Sequence, residues 1–511
     1  MPETSLPPLI AQMLEPSFYP HSVKEPVELI QTHISYVFLT GDYAYKIKKA
    51  VNFGFLDFSE LEQRRHFCHE EIRLNQRGAG DIYLEVLPIS SERDRFILND
   101  DSNSVEYVLK MHQFVEDDSF ISLFERGELT PELISELGRI VAKFHQTAET
   151  NDYILSFGKV ENVRQAFDEN YQQTEGYIGR AQTPSQFAET KTYTDNFFAT
   201  QTELFNQRIA ENWIKECHGD LHLRNIAFWK EQVLLFDCIE FNEPFRFVDV
   251  MYDIAFAVMD LDARSRPDLG NIFLNTYVEQ TGDWSGLQLL PLYLSRQAYV
   301  RAKVTSFLLD DPNIPAADKE QAAKVAANYY YLAWKYTQVP QIGKIILMSG
   351  LSGSGKSTVG RYIAETFQAI HLRSDAVRKH LGGVPLDQKG GADLYTPEMT
   401  QKTYDRLLEL GVMLANQGFT VILDAKYDRQ ALRSQVITTT NNHHIPLHIY
   451  YCTAPGEVLS DRLNNRIGDV ADATADLLQQ QQANLELFTP EEQSLVTTLD
   501  TTKDWKASIT L

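Results

Sequence analysis

The chain has 511 residues, 43% of them hydrophobic and 23% charged; these are the proportions of ordinary globular protein and exclude disordered, collagenous and disulfide-scaffold architectures. At about 150 residues per folding unit the length suggests about three units. With 47 Lys and Arg against 70 Asp and Glu, the formal net charge is −23, which argues against nonspecific nucleic-acid binding over the whole surface, leaves room for a local basic groove, and would draw in cationic small substrates.

Cys68, Cys217, Cys238 and Cys452 have no close pairing in sequence, so neither structural zinc nor a disulfide framework is expected, and a reducing cytoplasm fits. The first residues lack a basic leader, and no apolar run approaches the ~18 residues that span a bilayer. A soluble cytoplasmic protein without membrane partners is expected.

In chain order, residues 33–48 read as two β-rich runs around a Gly41-Asp42 turn, a hairpin. Residues 58–77 have helical spacing, with Leu61, Arg65, Phe67, Glu71 and Leu74 giving two faces. A strand-like run at 106–111 precedes an acidic turn at 116–119, and helical patterns run from Pro131 to Tyr336. A small β-rich lobe (about 1–113) is thus followed by a larger α-rich one (about 114–337). Residues 338–343 read as a linker. Beyond it the apolar runs 345–348, 421–424 and 447–451 alternate with helical stretches, the pattern of an α/β fold with a mostly parallel sheet over 338–511. The glutamine run 479–482 is expected on a helix face, and Tyr329, Tyr330, Tyr331 and Trp334 form an aromatic helix stretch expected to pack between domains.

The sharpest signal is Gly350-Leu351-Ser352-Gly353-Ser354-Gly355-Lys356-Ser357, followed by Thr358, set between an expected strand and an expected helix. Such a loop curls backbone N–H groups around a polyphosphate, with Lys356 reaching the outer phosphates and Ser357 available to Mg2+. Asp424 ends an apolar strand where a second Mg2+ contact belongs, or is a strand-end turn residue. Asp375 could accept a proton from an attacking hydroxyl, and Arg378, on the same helix face, could hold an anionic group of the acceptor; the plainer reading is an N-cap with a solvated arginine. Arg462 and Arg466, four apart, suit either charge stabilisation on a transferring phosphoryl group or a surface face.

Together these motifs resemble the AAA-type predicted-kinase branch of P-loop phosphotransferases, whose relatives include polynucleotide kinases and zeta-toxin-like kinases. The resemblance covers about residues 343–500 and implies ATP and Mg2+ as cofactors.

A second constellation is His218-Gly219-Asp220 with Asn225, followed by an apolar strand ending at Asp237. This has the form of a kinase catalytic loop and its metal-binding aspartate: Asp220 faces the acceptor hydroxyl, and Asn225 turns back to a Mg2+ that Asp237 also holds. With Gly219 where protein kinases carry Arg, it resembles the aminoglycoside and choline phosphotransferase-like family over about residues 25–335. That resemblance implies a bilobal α+β protein-kinase-like fold, an ATP-directed strand lysine (Lys46, or Lys48 on the same face) and a helix glutamate (Glu71, or Glu70). It also makes Asp253 a structural anchor. No glycine-rich loop precedes Gly41, so phosphate cover would fall to Thr32, His33 and Ser35. His145 and His218 read as hydrogen-bonded core histidines, since no second ligand stands at zinc spacing.

The expected protein is therefore a bifunctional ATP- and Mg2+-dependent phosphotransferase, with a small-molecule hydroxyl kinase at 1–337 and a P-loop kinase at 338–511. Two alternatives stay open. One is a nucleic-acid 5'-end kinase, with nucleic acid met only by the C-terminal domain through a groove near Arg373, Arg378 and Lys379. The other is an ATP-hydrolysing switch in which one domain is a regulatory pseudo-enzyme. The sequence leaves both acceptors and the oligomeric state open.

Overall fold

The structure, a computed structural model, describes residues 6–93, 95–114, 116–465 and 470–510. The chain falls into two units: Met1–Leu133, Lys143–Val163 and Thr202–Ala257 make the first, and Ile134–Ala142, Arg164–Gln201 and Val258–Leu511 the second. The expected break at 337/338 lies inside the second unit, in which the helix Pro267–Thr281 packs on the strand Ile370–Arg373 and the helix Lys356–Phe367. No helix among the described residues is long and apolar enough to cross a membrane.

The first unit is built on a six-stranded antiparallel sheet in the order β1-β2-β3-β6-β4-β5: β1 Glu28–Gln31, β2 Ser35–Leu39, β3 Tyr43–Lys48, β4 Tyr83–Glu92, β5 Arg95–Leu98 and β6 Ser104–His112. β2 and β3 form the expected hairpin, closing over Gly41 at a φ of +104°. Side chains alternate along β3. Tyr45 and Ile47 join the buried cluster with Phe38, Leu87, Ile89 and Val108, so Lys46 and Lys48 share the opposite face. Helix α1 (Leu61–Ala79) packs on β4 and β6 and buries Arg64, Cys68, Glu71, Leu74 and Asn75, a stripe at helical period.

After β7 (Ile214–Glu216) the chain enters the His218 loop, then the hairpin of β8 (Ile226–Trp229) and β9 (Gln232–Leu235). Its two turn residues, Lys230 and Glu231, both have positive φ, as a tight hairpin of this twist requires. The hairpin brings its ends together: the Phe236 N–H donates to the Asn225 carbonyl at 3.1 Å, which sets Asn225 beside the segment bearing Asp237. β10 (Phe247–Asp249) returns antiparallel to β7 and leads into α2 (Val250–Ala263), which carries Asp253.

In the second unit, α3 (Pro267–Thr281), α4 (Leu290–Phe307) and α5 (Ala316–Tyr336) precede a five-stranded parallel sheet in the order β12-β13-β11-β14-β15. Its strands are β11 Lys344–Ser349, β12 Ile370–Arg373, β13 Thr420–Asp424, β14 Leu447–Thr453 and β15 Val496–Asp500. Ile345 to Met348 and Val421 to Leu423 are fully buried, as strands covered on both faces must be. The aromatic run packs within this unit rather than between domains: Tyr330 is buried edge-on against Tyr299 of α4, and Trp334 donates to Glu189 at 2.7 Å. β15 was not expected; in Val-Thr-Thr-Leu-Asp only Leu499 is fully buried.

Candidate phosphotransfer sites

Glu71, wholly buried, is the centre of the first site. One of its oxygens accepts from Lys46 Nζ at 2.7 Å and the other from Lys48 Nζ at 2.6 Å. Lys46 also reaches Asp237 Oδ1 at 3.0 Å, while Lys48 pairs with the buried Glu240. The structure thus gives both candidate lysines to Glu71, and only Lys46 bridges onward to Asp237. Glu70 instead pairs with Arg73 at 2.8 Å. Burial works against the charge on Glu71, yet the adjacent ammonium groups hold its carboxyl, and that of the half-exposed Asp237, below their ordinary range.

Asp253 accepts the backbone N–H groups of His218 at 3.1 Å and Gly219 at 2.8 Å, and hydrogen-bonds His145 at 3.0 Å. It fixes the loop from beneath, as the resemblance implied for it. His218 is bound to the Phe236 carbonyl at 2.9 Å. Gly219 has a φ of +85°, and a Cβ there would lie 2.8 Å from the Phe245 carbonyl oxygen; no side chain fits. Asn225 donates its amide to both the Asp220 carbonyl and carboxylate at 3.0 Å, leaving its amide oxygen as the atom that can face a cation. With Asp237 this makes an all-oxygen donor set that fits Mg2+.

At the tip of β1-β2, the Thr32 hydroxyl accepts the Ile34 and Ser35 N–H groups at 3.2 and 2.9 Å. Those groups serve their own turn. Cover for phosphate at this tip is thus smaller than the sequence suggests.

The second site is a cavity of about 340 Å³ lined by Ser352, Gly353, Gly355, Lys356, Ser357 and Thr358 of the loop, by Arg373, Ser374 and Asp375, and by Asp424, Lys426 and Arg462. The loop joins β11 to α6 (Lys356–Phe367), and α7 (Ser374–Leu381) starts at the end of β12. Gly350, at a φ of +138°, passes so close to Cys452 that a Cβ would stand 2.4 Å from its carbonyl oxygen. Lys356 Nζ donates to the Leu351 carbonyl at 2.8 Å, and burial pulls its ammonium below its usual range. Leu351 and Ser354 support the loop from behind: Leu351 packs on Leu459, Leu463 and Leu478, and the Ser354 carbonyl accepts from Thr501 at 2.9 Å.

Asp424 and Asp375, two carboxyls of one cavity, are driven apart. Burial opposes ionisation of Asp424, but a 3.0 Å hydrogen bond with His371 and the nearby Lys356 bring its carboxyl down to about 2. Burial raises Asp375, against the pull of Arg373 and Arg378. A firmly ionised Asp424 with the Ser357 hydroxyl fits Mg2+, and a raised Asp375 suits proton transfer.

Three arginines were expected here. Arg462 lines the cavity and ties the loop to the end of β15, donating to the Gly353 carbonyl at 3.3 Å and to Thr501 at 2.8 Å. Arg378 is buried, bonded to the Leu394 carbonyl at 2.8 Å, with its guanidinium over the Tyr395 ring; it is not among the cavity-lining residues. Arg466 lies outside the described residues.

Sequence reasoning missed His371, Lys426, Glu240 and Gln481. The last, inside the glutamine run, brackets Ser352: its amide oxygen accepts the Ser352 N–H at 3.0 Å and its nitrogen donates to the hydroxyl at 3.1 Å. Lys426 stands two residues past Asp424 and was within reach of a motif reading. The other three act through contacts distant in sequence.

The AAA domain family model matches residues 345–488, a range that includes the loop, Asp375 and Asp424. An uncharacterised protein of Mycobacterium tuberculosis (strain ATCC 25618 / H37Rv) is 29% identical over 455 residues, 88% of this chain and 88% of the relative. Among solved structures, a gluconokinase from Sinorhizobium meliloti 1021 is 22% identical, covering 33% of this chain and 87% of that one with a TM-score of 0.24. A choline/ethanolamine kinase family protein from Mesorhizobium loti is 12% identical, covering 65% of this chain and 99% of that one with a TM-score of 0.38. The C-terminal part of the chain therefore carries a P-loop domain of the AAA kind.

Proposed function

We propose that the chain is a bifunctional ATP-dependent phosphotransferase acting on hydroxyl acceptors, one site in each unit. The reading rests on one observation made twice: a lysine able to hold phosphate oxygens stands with an ionised carboxylate suited to Mg2+, next to a second carboxylate able to take a proton. In the first site these are Lys46, Asp237 and Asp220; in the second, Lys356, Asp424 and Asp375. Bound Mg2+ would neutralise charge on the phosphates. Lys46, held by Glu71, orients phosphate oxygens while Asp220, steadied by Asn225, receives the acceptor's proton. At the P-loop, backbone N–H groups and Lys356 hold the phosphates and Asp375 receives the proton. Phosphoryl transfer asks mainly for such positioning and electrostatics.

For the second site a small acceptor is favoured over a 5'-hydroxyl nucleic-acid end. The cations of the hypothetical basic groove are engaged internally: Arg373 with Glu279 at 3.3 Å, Arg378 with the Leu394 carbonyl, and Lys379 with the Leu386 carbonyl at 3.1 Å.

The test is full-length protein with γ-labelled ATP against panels of aminoglycosides, sugars, nucleosides and 5'-hydroxyl oligonucleotides. A labelled acceptor supports the proposal, and release of phosphate alone supports the switch. At the first site, Asp220→Asn should lower transfer by about a hundredfold with ATP affinity nearly intact, whereas Asp237→Asn should weaken Mg2+-dependent ATP binding. Equal loss of ATP binding in both variants would overturn this division of roles.

A further inference from the structure

β12 is an edge strand of the parallel sheet, and its outer backbone groups are met by side chains of α3. Asn271 and Asn275 donate to the Ala369 carbonyl at 3.1 and 3.0 Å, and Asn275 Oδ1 accepts the His371 N–H at 2.7 Å. The Asn275 carboxamide thus satisfies one C=O and one N–H two residues apart, as the peptide group of a neighbouring strand would. One turn on, Glu279 accepts from Arg373 at 3.3 Å and its carbonyl hydrogen-bonds His380 at 2.7 Å.

Side chains two apart on a strand share a face, so His371 and Arg373 point the same way. Arg373 lines the cavity. His371, 6% exposed, makes its 3.0 Å hydrogen bond to Asp424 Oδ2, which is 4% exposed. A carboxyl held by one oxygen in a buried site cannot swing about its Cβ–Cγ bond without losing that bond.

We propose that Asn275 and His371 are positioning residues of the P-loop site: α3 sets the register of His371, and His371 sets the orientation of Asp424 toward a bound cation. The proposal rests on the reading of Asp424 as the metal contact. Second partners of this kind are worth about 10- to 100-fold in metal affinity.

The test uses the full-length chain and ADP, titrated calorimetrically with Mg2+ and with a chelator present; the binding step abolished by Lys356→Ala identifies the P-loop site. His371→Ala should cut the Mg2+-dependent gain in ADP affinity at that step by about tenfold or more, with Mg2+-free affinity changed less than about twofold. His371→Gln, which keeps an amide donor, should restore most of the gain. Asn275→Ala should show the same signature at smaller size and, without any metal, faster amide exchange at His371. Equal loss with and without Mg2+ in folded His371→Ala and His371→Gln would reduce His371 to a structural role, and unchanged Mg2+ dependence would likewise overturn the relay while the nucleotide reading stands. A wild-type chain with no Lys356-dependent step overturns both.

Discussion

Asp375→Asn is expected to lower phosphoryl transfer at the P-loop site by about a thousandfold, within the ~10²–10⁴ range of a positioned general base, while MgADP affinity stays within a few fold of wild type. The carboxyl lies in the first turn of α7, in the same cavity as Lys356 and Asp424. Burial raises it above the ordinary aspartate value of 3.8, and it must be ionised to take a proton. Transfer by the wild-type chain should therefore fall as pH drops through that raised value, and the residual activity of Asp375→Asn should lack this acid limb. Single-turnover transfer of label across a pH series is the measurement. Unchanged turnover in the variant would remove Asp375 from the chemistry.

Glu71→Ala should destabilise the first unit by about 3–5 kcal/mol, the cost of breaking a buried ion pair from one side. That is a large part of the ~5–15 kcal/mol that holds a typical domain together. Its carboxylate bridges Lys46 and Lys48, and Lys48 is 2% exposed; without it Lys46 is left to Asp237 and Lys48 to Glu240, and the two ammonium groups on one face of β3 lose the carboxylate between them. The lysines hold Glu71 below its ordinary 4.5, so this stabilisation is present above the unfolded-state value and is lost as pH falls through the lower folded one. Urea unfolding followed from pH 7 down to pH 3 should show a steeper acid loss in wild type than in Glu71→Ala. Parallel pH curves would show that Glu71 carries no such charge. Lys46, no longer oriented, should also hold ATP phosphates more weakly.

What the sequence made legible was local. The P-loop is a run of consecutive residues whose glycines encode its backbone path, and the β8-β9 hairpin is written in the spacing from Asn225 to Asp237. Glu71 was preferred over Glu70, and in the structure Glu71 faces β3 while Glu70 turns to Arg73. What stayed hidden depends on contacts across long stretches of chain. Nothing in Asn271, Asn275 and Glu279 marks them as partners of a strand nearly 100 residues on. The Asp375–Arg378 spacing correctly puts both on one helix turn, yet it does not reveal that Leu394 takes up the guanidinium. Lys48 looked like a spare copy of Lys46; only the approach of Glu240 gives it a partner of its own. β15 escaped notice because an edge strand with polar outer positions lacks the apolar run by which its neighbours were found.

The way α3 covers β12 bears on where the chain can be cut. A fragment beginning at residue 338 would retain every residue of the P-loop motif, yet it would bare the Ala369 carbonyl and the His371 N–H along one margin of the sheet. Exposed strand margins recruit other strands, so such a fragment should self-associate as its concentration rises. A fragment beginning near residue 258 keeps the Asn271 and Asn275 cover of this margin, and so should stay monomeric to higher concentration than the shorter one.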